Sequence, residues 1–160
     1  MASYNSHITQ ANKNLTFLQQ ISHTENYEWQ VTVCFYVAVH LINAHIAQKA
    51  NLHYRTHNQV EHAINPHNVL SVSKLTEPDF LAYSKLHNLS RRARYLIHDD
   101  MDNLTSTECF TYSKHLAKSL KNLDILLSFF ENSYSLSFDT TEVKCIDLKG
   151  KFSSKYFKIV

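Results

Sequence analysis

Glycine occurs once and proline twice in this chain of 160 residues. Domains that are rich in β-sheet need these residues in number for their tight turns, so their scarcity favours helices joined by short polar loops. A chain of this length is expected to form one domain, and it can bury well over half of the surface that its unfolded state exposes. The composition therefore predicts an all-α fold with a real hydrophobic core.

Apolar residues recur at spacings of three and four along most of the chain, which is the pattern of amphipathic helices. This pattern predicts helices at about 6–21, 27–50, 57–64, 78–97 and 106–131. Thr105 or Ser106 is the expected cap of the last helix. The buried seam of the fourth helix is predicted to comprise Ala82, Leu86, Leu89, Ala93 and Leu96, and that of the fifth to include Cys109, Tyr112, Leu116, Leu120, Leu123, Leu127 and Phe130.

The chain changes character after Asn132, where Ser, Thr and Lys become frequent. Residues 143–148 and 152–160 have high β propensity, and Lys149-Gly150 between them is typical of a turn. We therefore expect a helical bundle over 1–132 and a C-terminal extension over 133–160. The extension is predicted to be either a docked tail or a small β-hairpin.

The most apolar segment, 31–47, is too short for a membrane span and is interrupted by polar residues such as His40 and His45. It is expected to form the buried central helix of a bundle. The first twenty residues lack the basic start and apolar run of a signal peptide. Three scattered cysteines, Cys34, Cys109 and Cys145, fit a reducing compartment. These features predict a cytoplasmic protein with no membrane partner.

A second stripe on the central helix carries side chains with polar atoms: Trp29, Thr32, Tyr36, His40 and Asn43. Their spacings of three and four place them on one face. Two interpretations stay open for this stripe. It is either part of a core whose polar atoms are satisfied internally or the wall of a cleft.

Residues 90–98 read Ser-Arg-Arg-Ala-Arg-Tyr-Leu-Ile-His and bring fixed positive charge close to an imidazole. At about 100° per residue, a helix continuing through this segment turns one set of side chains away from the seam. That set is His87, Arg91, Arg94, Tyr95 and His98, with Arg92 at the flank. Guanidinium groups bind phosphate oxygens, tyrosine stacks on bases, and histidine moves protons near neutral pH. The segment thus predicts a phosphate-binding face, although a solvated polar face is the alternative.

Two segments carry a combined pattern. One is Trp-Gln-Val-Thr-Val-Cys-Phe-Tyr-Val-Ala-Val-His over 29–40, followed by His-Tyr-Arg over 53–55, and the other is Leu-Ser-Arg-Arg-Ala-Arg-Tyr over 89–95. Together these segments resemble the HEPN superfamily of small α-helical domains. With the connecting helices, the resemblance covers roughly 6–130. It implies a bundle of four or five mostly up-and-down helices that often forms a homodimer.

The resemblance also implies an activity, because many members of this superfamily are metal-independent endoribonucleases with an Arg and a His separated by four to six residues. Here five residues separate Arg92 from His98, and six separate Arg91 from it. The implied catalytic residues are therefore Arg91, Arg92 and His98, and which arginine pairs with His98 is left open. The residues expected to bind substrate are Arg94, Tyr95, Tyr36, His40, His53 and Arg55.

The implied chemistry is attack of an RNA 2′-hydroxyl on the adjacent phosphate, in a cleft between two subunits. Such an enzyme needs no cofactor, and it would suit a toxin or defence factor held in check by an antitoxin or another protein. The alternative is a non-catalytic HEPN-like module that binds RNA, a nucleotide or a partner protein through the same basic face.

Two other kinds of site are less favoured by the sequence. His53, His57, His62 and His67 lie close together along the chain, but they lack a carboxylate or thiolate at ligand spacing, so no metal site is predicted. Cys34 lies on the apolar face of the central helix and is expected to be inert.

Overall fold

The computed structural model describes residues 3–97 and 109–160. Within these ranges five α-helices are present, followed by a short C-terminal segment with two strands. The helices are α1 (Tyr4–Ile21), α2 (Tyr27–Ala50), α3 (His57–Ile64), α4 (Glu77–Tyr95) and α5 (Ser113–Tyr134). The all-α bundle predicted from the sequence is thus confirmed at the level of architecture.

Helix α2 is the centre of the bundle and packs against α1, α4 and α5. Its residues are apolar on most sides, so most of its surface packs on neighbouring helices, and Val31, Phe35, Ala38 and Leu41 are fully buried. It is also the one described helix long and apolar enough to cross a membrane, but 78% of its most apolar window is buried inside the bundle. Burial to this extent is typical of the central helix of a packed bundle.

The polar stripe on α2 divides between surface and core. Thr32 and Asn43 are buried, and each donates a side-chain hydrogen bond to a backbone carbonyl one turn earlier, that of Glu28 at 2.7 Å and that of Val39 at 3.0 Å. Tyr36 is exposed, as is Trp29. The polar atoms of Thr32 and the amide nitrogen of Asn43 are therefore hydrogen-bonded within the core, as the first interpretation of the stripe expected.

Helix α4 is shorter at its C-terminal end than the prediction. It ends at Tyr95, and Leu96 adopts the left-handed conformation with φ of 56° while its N–H donates to the Arg92 carbonyl. Leu96 was expected in the buried seam, but it is 41% exposed because it no longer follows the helical path. Ala82, Leu86 and Ala93 are buried as predicted.

Helix α5 begins at Ser113 rather than near residue 106. The predicted caps, Thr105 and Ser106, lie outside the described residues. Tyr112 occupies the cap position instead, and its N–H donates to Nδ1 of His115 at 2.9 Å. Tyr112 was therefore wrongly assigned to the buried stripe, and its side chain is exposed. Cys109 also precedes the helix.

The C-terminal segment is docked on the bundle, and its two strands are parallel. Strand β1 (Thr141–Val143) pairs with β2 (Phe157–Ile159) in the register Thr141 with Phe157. A hairpin requires antiparallel strands, so that prediction was wrong. The intervening chain instead turns through a short 3₁₀ helix, Ile146–Leu148, which packs on α5, while β1 packs on α1.

Specific polar contacts fix this segment to the helices. The Lys144 N–H donates to the Ser22 hydroxyl at 3.0 Å. On α5, the Asp124 carboxylate accepts from the N–H groups of Lys155 and Tyr156 at 3.1 and 3.0 Å. The Tyr156 hydroxyl donates to Glu131. Extended chain after residue 135 thereby becomes part of the packed structure.

Replacing Ser135 with glycine is expected to raise the free energy of unfolding by about 0.5–1 kcal/mol, measured by urea denaturation. Ser135 terminates α5 with φ of 53°, a conformation in which its Cβ is strained and glycine is not. The matched control is Ser133→Gly, two residues earlier and still helical, which should lower stability by a similar amount. Destabilisation by both changes would contradict the assignment.

Candidate functional site

The C-terminal half of α4 carries the arginine segment, which we define as residues 91–95. Arg91, Arg92 and Arg94 are half-buried, and Tyr95 is 60% exposed. The Arg94 guanidinium lies 5.1 Å from the centroid of the Tyr95 ring, and its Nε donates to the Ser90 carbonyl at 3.3 Å. Cationic side chains near a helix C-terminus also interact favourably with the helix dipole, so the segment is held in place by its own helix.

Arg92 connects α4 to the chain that leads into α5. Its Nε and Nη2 both donate to the Phe110 carbonyl, at 3.2 and 3.1 Å. Burial lowers the pKa of His115 to about 4, and the charge of Arg92 contributes to this shift. Arg92 therefore has a structural role at the border of the bundle. This position agrees with the prediction that it lies at the flank of the buried seam. Arg92, one of the two arginines considered as partner of His98, is thus hydrogen-bonded to a backbone carbonyl.

His98 lies outside the described residues. Its predicted direction, alongside Arg91 and Arg94, assumed that the helix continues to residue 97. Because α4 ends at Tyr95 and Leu96 is left-handed, that helical projection does not extend to residue 98.

His87 is one turn before Arg91 on α4, and it does not face solvent as the projection predicted. Its imidazole stacks on the Phe35 ring with centroids 5.1 Å apart and planes at 15°, and its side chain is 12% exposed. Its Nδ1 lies 3.0 Å from the Glu61 carboxylate of α3. The prediction failed because α4 packs on α2 and α3 as well as α5, so the side opposite one buried seam is another contact surface.

His57 lies beside His87 and rests on the same aromatic ring. The two imidazole centroids are 4.9 Å apart, and the His57 centroid lies 5.0 Å from that of Phe35. Burial lowers the pKa of His57, and the charges of His87 and Arg94 lower it further. His57 is thus neutral near pH 7 and close enough to Arg94 to feel its charge.

We define the α3–α4 cluster as His57, Glu61, His87 and Arg94. A buried hydroxyl adjoins it: Tyr83, one turn before His87, has no hydrogen-bond partner within the described part of the chain. Burial raises the pKa of Tyr83, and the Glu61 charge adds to this effect. The cluster therefore combines a carboxylate, two imidazoles and a guanidinium on an apolar support.

A second group of histidines joins α1, α2 and the loop before α3. His7 Nδ1 is hydrogen-bonded to His40 Nδ1 at 3.2 Å, and His7 Nε2 to His53 Nδ1 at 3.1 Å. The His7 ring also stacks on that of His53, with centroids 5.1 Å apart. We call these three residues the imidazole chain. It fixes the loop that leads to the cap of α3 at Thr56.

His7 and His40, two members of the imidazole chain, have lowered pKa values and are uncharged at neutral pH. Burial lowers the pKa of His7 to about 4, helped by His40 and His53, and burial also lowers the pKa of His40. In a neutral imidazole one ring nitrogen donates and the other accepts, so the two bonds of His7 run in one direction. The chain can transfer a proton from one end to the other by a change of tautomer in each ring.

The geometry of the imidazole chain does not suit a shared metal ion. His7 presents a different nitrogen to each neighbour, so the three rings do not direct their nitrogens at one point. Within 3–97 and 109–160, no group of three or more His, Cys, Asp or Glu residues could hold a metal.

The predicted site residues are only partly brought together. His40 and His53 meet through His7, which sequence reasoning missed. Tyr36 lies one turn before His40 on an exposed part of α2, and Arg55 is exposed in the loop after His53. Within the described residues, no hydrogen bond, ion pair or ring contact joins Tyr36 or Arg55 to Arg92, Arg94 or Tyr95. Burial raises the pKa of Cys34 to about 12, which fits the inert thiol expected there.

Local sequence patterns give little indication that His7, His57 and Glu61 belong to a site. His7 is a single histidine in a polar helix, and its two partners are 33 and 46 residues away. Glu61 and His57 are one turn apart on α3, a spacing that places them on one face, but only the fold brings His87 to them.

The chain matches no protein-family model, and no curated protein or solved structure matches it. The functional assignment therefore depends on the chemistry of the residues themselves.

Proposed function

We propose that this protein is a metal-independent endoribonuclease of the HEPN kind, which acts on RNA through the C-terminal end of α4. The observation that carries the proposal is the arginine segment on a helix anchored in the core, with Arg94 stacked on exposed Tyr95 and close to neutral His57. Guanidinium groups and an exposed aromatic ring form the combination that contacts a phosphate and its base.

The proposed reaction needs no metal. The 2′-hydroxyl of one nucleotide loses its proton and its oxygen attacks the adjacent phosphorus, while the 5′-oxygen of the next nucleotide leaves and gains a proton. His98 serves as one of the proton-transfer groups, and Arg91 stabilises the charge that develops on the phosphate oxygens. The products are a 2′,3′-cyclic phosphate and a free 5′-hydroxyl.

A second copy of the chain is part of the proposal, as the resemblance to the superfamily implies. Large apolar side chains are exposed near the arginine segment and the start of α5: Tyr95, Leu96, Ile97, Phe110 and Tyr112. The Cys109 N–H donates to the Leu96 carbonyl at 3.1 Å, so the two segments adjoin. Exposed apolar groups that surround basic residues support an interface at this end of the bundle. Sedimentation equilibrium tests the expected homodimer.

Replacing Arg94 with alanine is expected to weaken RNA binding by a similar factor for different sequences and to reduce the salt slope of the affinity by about one ion. A side chain that contacts phosphate carries no sequence information, so both effects should occur together. Fluorescence anisotropy with short single-stranded RNAs at several salt concentrations measures this. Lys13→Ala, on the exposed side of α1, serves as the matched loss of one positive charge.

The same binding experiment, with a cleavage assay on the wild type beside it, discriminates between the candidate functions. Salt-dependent RNA binding by the wild type without cleavage would favour the non-catalytic module. The absence of any RNA binding, or an equal loss in Arg94→Ala and Lys13→Ala, would contradict a site at the end of α4.

A further inference from the structure

The α3–α4 cluster has the arrangement of a supported proton-transfer group. His57 and His87 come from different helices and lie against the same Phe35 ring of α2, at centroid distances of 5.0 and 5.1 Å. Residues of three helices thus fix both imidazoles. Side chains held in this way keep their orientation without substrate, which is the requirement for efficient catalysis by a positioned group.

Glu61 fixes the orientation of His87. Its carboxylate accepts a hydrogen bond from Nδ1 of His87 at 3.0 Å, while the ring stacks on Phe35 and lies beside His57. A carboxylate behind a histidine holds the imidazole in one tautomer and one rotamer. His87 is therefore part of the framework of the cluster.

His57 is the member of the cluster that can meet a ligand. It is half-buried in the first turn of α3, and no hydrogen bond of its ring is recorded within the described part of the chain. The charged or titratable groups around it are His87 and Arg94 of α4 and Glu61 of its own helix, whereas α2 contributes the uncharged Phe35. A ring with a free nitrogen beside a guanidinium is suited to take a proton from a group next to a bound phosphate.

We propose that His57 is the general base of the reaction, that Arg94 binds the scissile phosphate beside it, and that His87 and Glu61 are positioning residues. This proposal rests on the proposed ribonuclease function and adds to it a proton acceptor on α3. A ring nitrogen of His57 takes the 2′-hydroxyl proton as the 2′-oxygen bonds to phosphorus. The bond from phosphorus to the 5′-oxygen breaks, and that oxygen gains a proton, which the solvent ultimately supplies. Loss of the acquired proton to the solvent then restores His57.

The surroundings of His57 predict a particular pH dependence. Burial, His87 and Arg94 lower its pKa below the usual 6.5, whereas Glu61 raises it. A general base is active when it is unprotonated, so the rate should fall with decreasing pH only below the usual pKa of histidine. Removing the charge of Glu61 should move this fall to still lower pH.

The experiment compares single-turnover RNA cleavage as a function of pH for the wild type and for His57→Gln, Glu61→Gln and His62→Gln. His57→Gln should slow cleavage by about 10²- to 10⁴-fold and abolish the acidic decline of the rate, with RNA affinity close to wild type. Glu61→Gln should lower the maximal rate far less than His57→Gln does and should shift the decline to lower pH. His62, exposed on the same helix, is the matched control and should behave as wild type.

The possible failures are distinguishable. A wild type that neither binds nor cleaves RNA contradicts the proposed function itself. A wild type that cleaves RNA, with a rate and pH profile unchanged in His57→Gln, contradicts only the role of His57. If His57→Gln does not fold, the wild-type profile decides: an acidic decline centred above the usual histidine pKa overturns the assignment.

Discussion

Replacing His98 with alanine is expected to slow RNA cleavage by about 10²- to 10⁴-fold, and replacing Arg91 with alanine by about 10²- to 10³-fold. His98 is one of the proposed proton-transfer groups, and if it protonates the leaving 5′-oxygen, its removal makes this oxygen depart as a poorly stabilised anion. Arg91 is half-buried on α4, a helix fixed in the core by Leu86 and Ala93, so its stem is held near the site. Gel-based single-turnover kinetics with a labelled RNA measure both changes.

The control for this pair is His67→Ala, which removes an exposed histidine from the connection between α3 and α4. Its rate should equal that of the wild type. Because RNA affinity is measured on the same variants, a loss of cleavage with intact binding assigns the effect to the chemical step. Wild-type rates in both His98→Ala and Arg91→Ala would end the ribonuclease assignment.

Acid is expected to destabilise the fold strongly between pH 6.5 and about 4. Burial lowers the pKa of His7 and that of His115 to about 4 each, and neighbouring histidines for His7 or cationic side chains for His115 add to the shift. In this interval the unfolded chain binds protons at these residues and the folded chain does not, so the free energy of unfolding falls as pH falls. Both residues therefore contribute stability that is fully present above the usual histidine pKa of 6.5 and is lost as the pH falls toward about 4.

Urea denaturation at a series of pH values measures this dependence. His7→Gln should have a shallower acid loss than the wild type, because glutamine can occupy the position between His40 and His53 without titrating. The paired control, His62→Gln with His67→Gln, removes two exposed histidines and should keep the wild-type slope. Equal slopes in all three proteins would show that the imidazole chain does not remain neutral in the folded state.

Burial lowers the pKa of His45 as well, but this residue has a structural explanation. Its Nε2 lies 2.9 Å from the Ser73 carbonyl and its Nδ1 lies 2.6 Å from the Tyr134 hydroxyl, so the ring joins α2 to the chain before α4 and to the end of α5. Both ring nitrogens are used within the fold. His45 thus contributes to the acid sensitivity without being a candidate for catalysis.

Local signals were sufficient to predict the helices with strong periodicity and polar ends. The bounds of α2 and α3 agree with the sequence, because Asn26, Asn51 and Thr56 mark their ends chemically. The end of α4 was predicted two residues too late because no polar residue marks it. Apolar Leu96 and Ile97 continue the pattern of the helix, and nothing in their composition marks the left-handed turn at Leu96.

The candidate site depended on tertiary packing, which periodicity alone cannot supply. The spacing of His87, Arg91 and Arg94 on one side of α4 was correct, but whether that side faces solvent depends on the neighbours of the helix. His87 packs in the interior because its ring stacks on Phe35 of α2 and its Nδ1 is hydrogen-bonded to Glu61 of α3. The pairing of His40 and His53 with His7 likewise required the approach of α1, which no local pattern encodes.

Cleavage of RNA by the purified full-length chain in the presence of EDTA tests the central claim most directly. The substrate is a single-stranded RNA, compared with the same sequence in which every 2′-hydroxyl is replaced by hydrogen. The proposed function predicts metal-independent cleavage of the RNA alone, with 2′,3′-cyclic phosphate and 5′-hydroxyl ends. No cleavage, cleavage that EDTA abolishes, or equal cleavage of the 2′-deoxy substrate would contradict it.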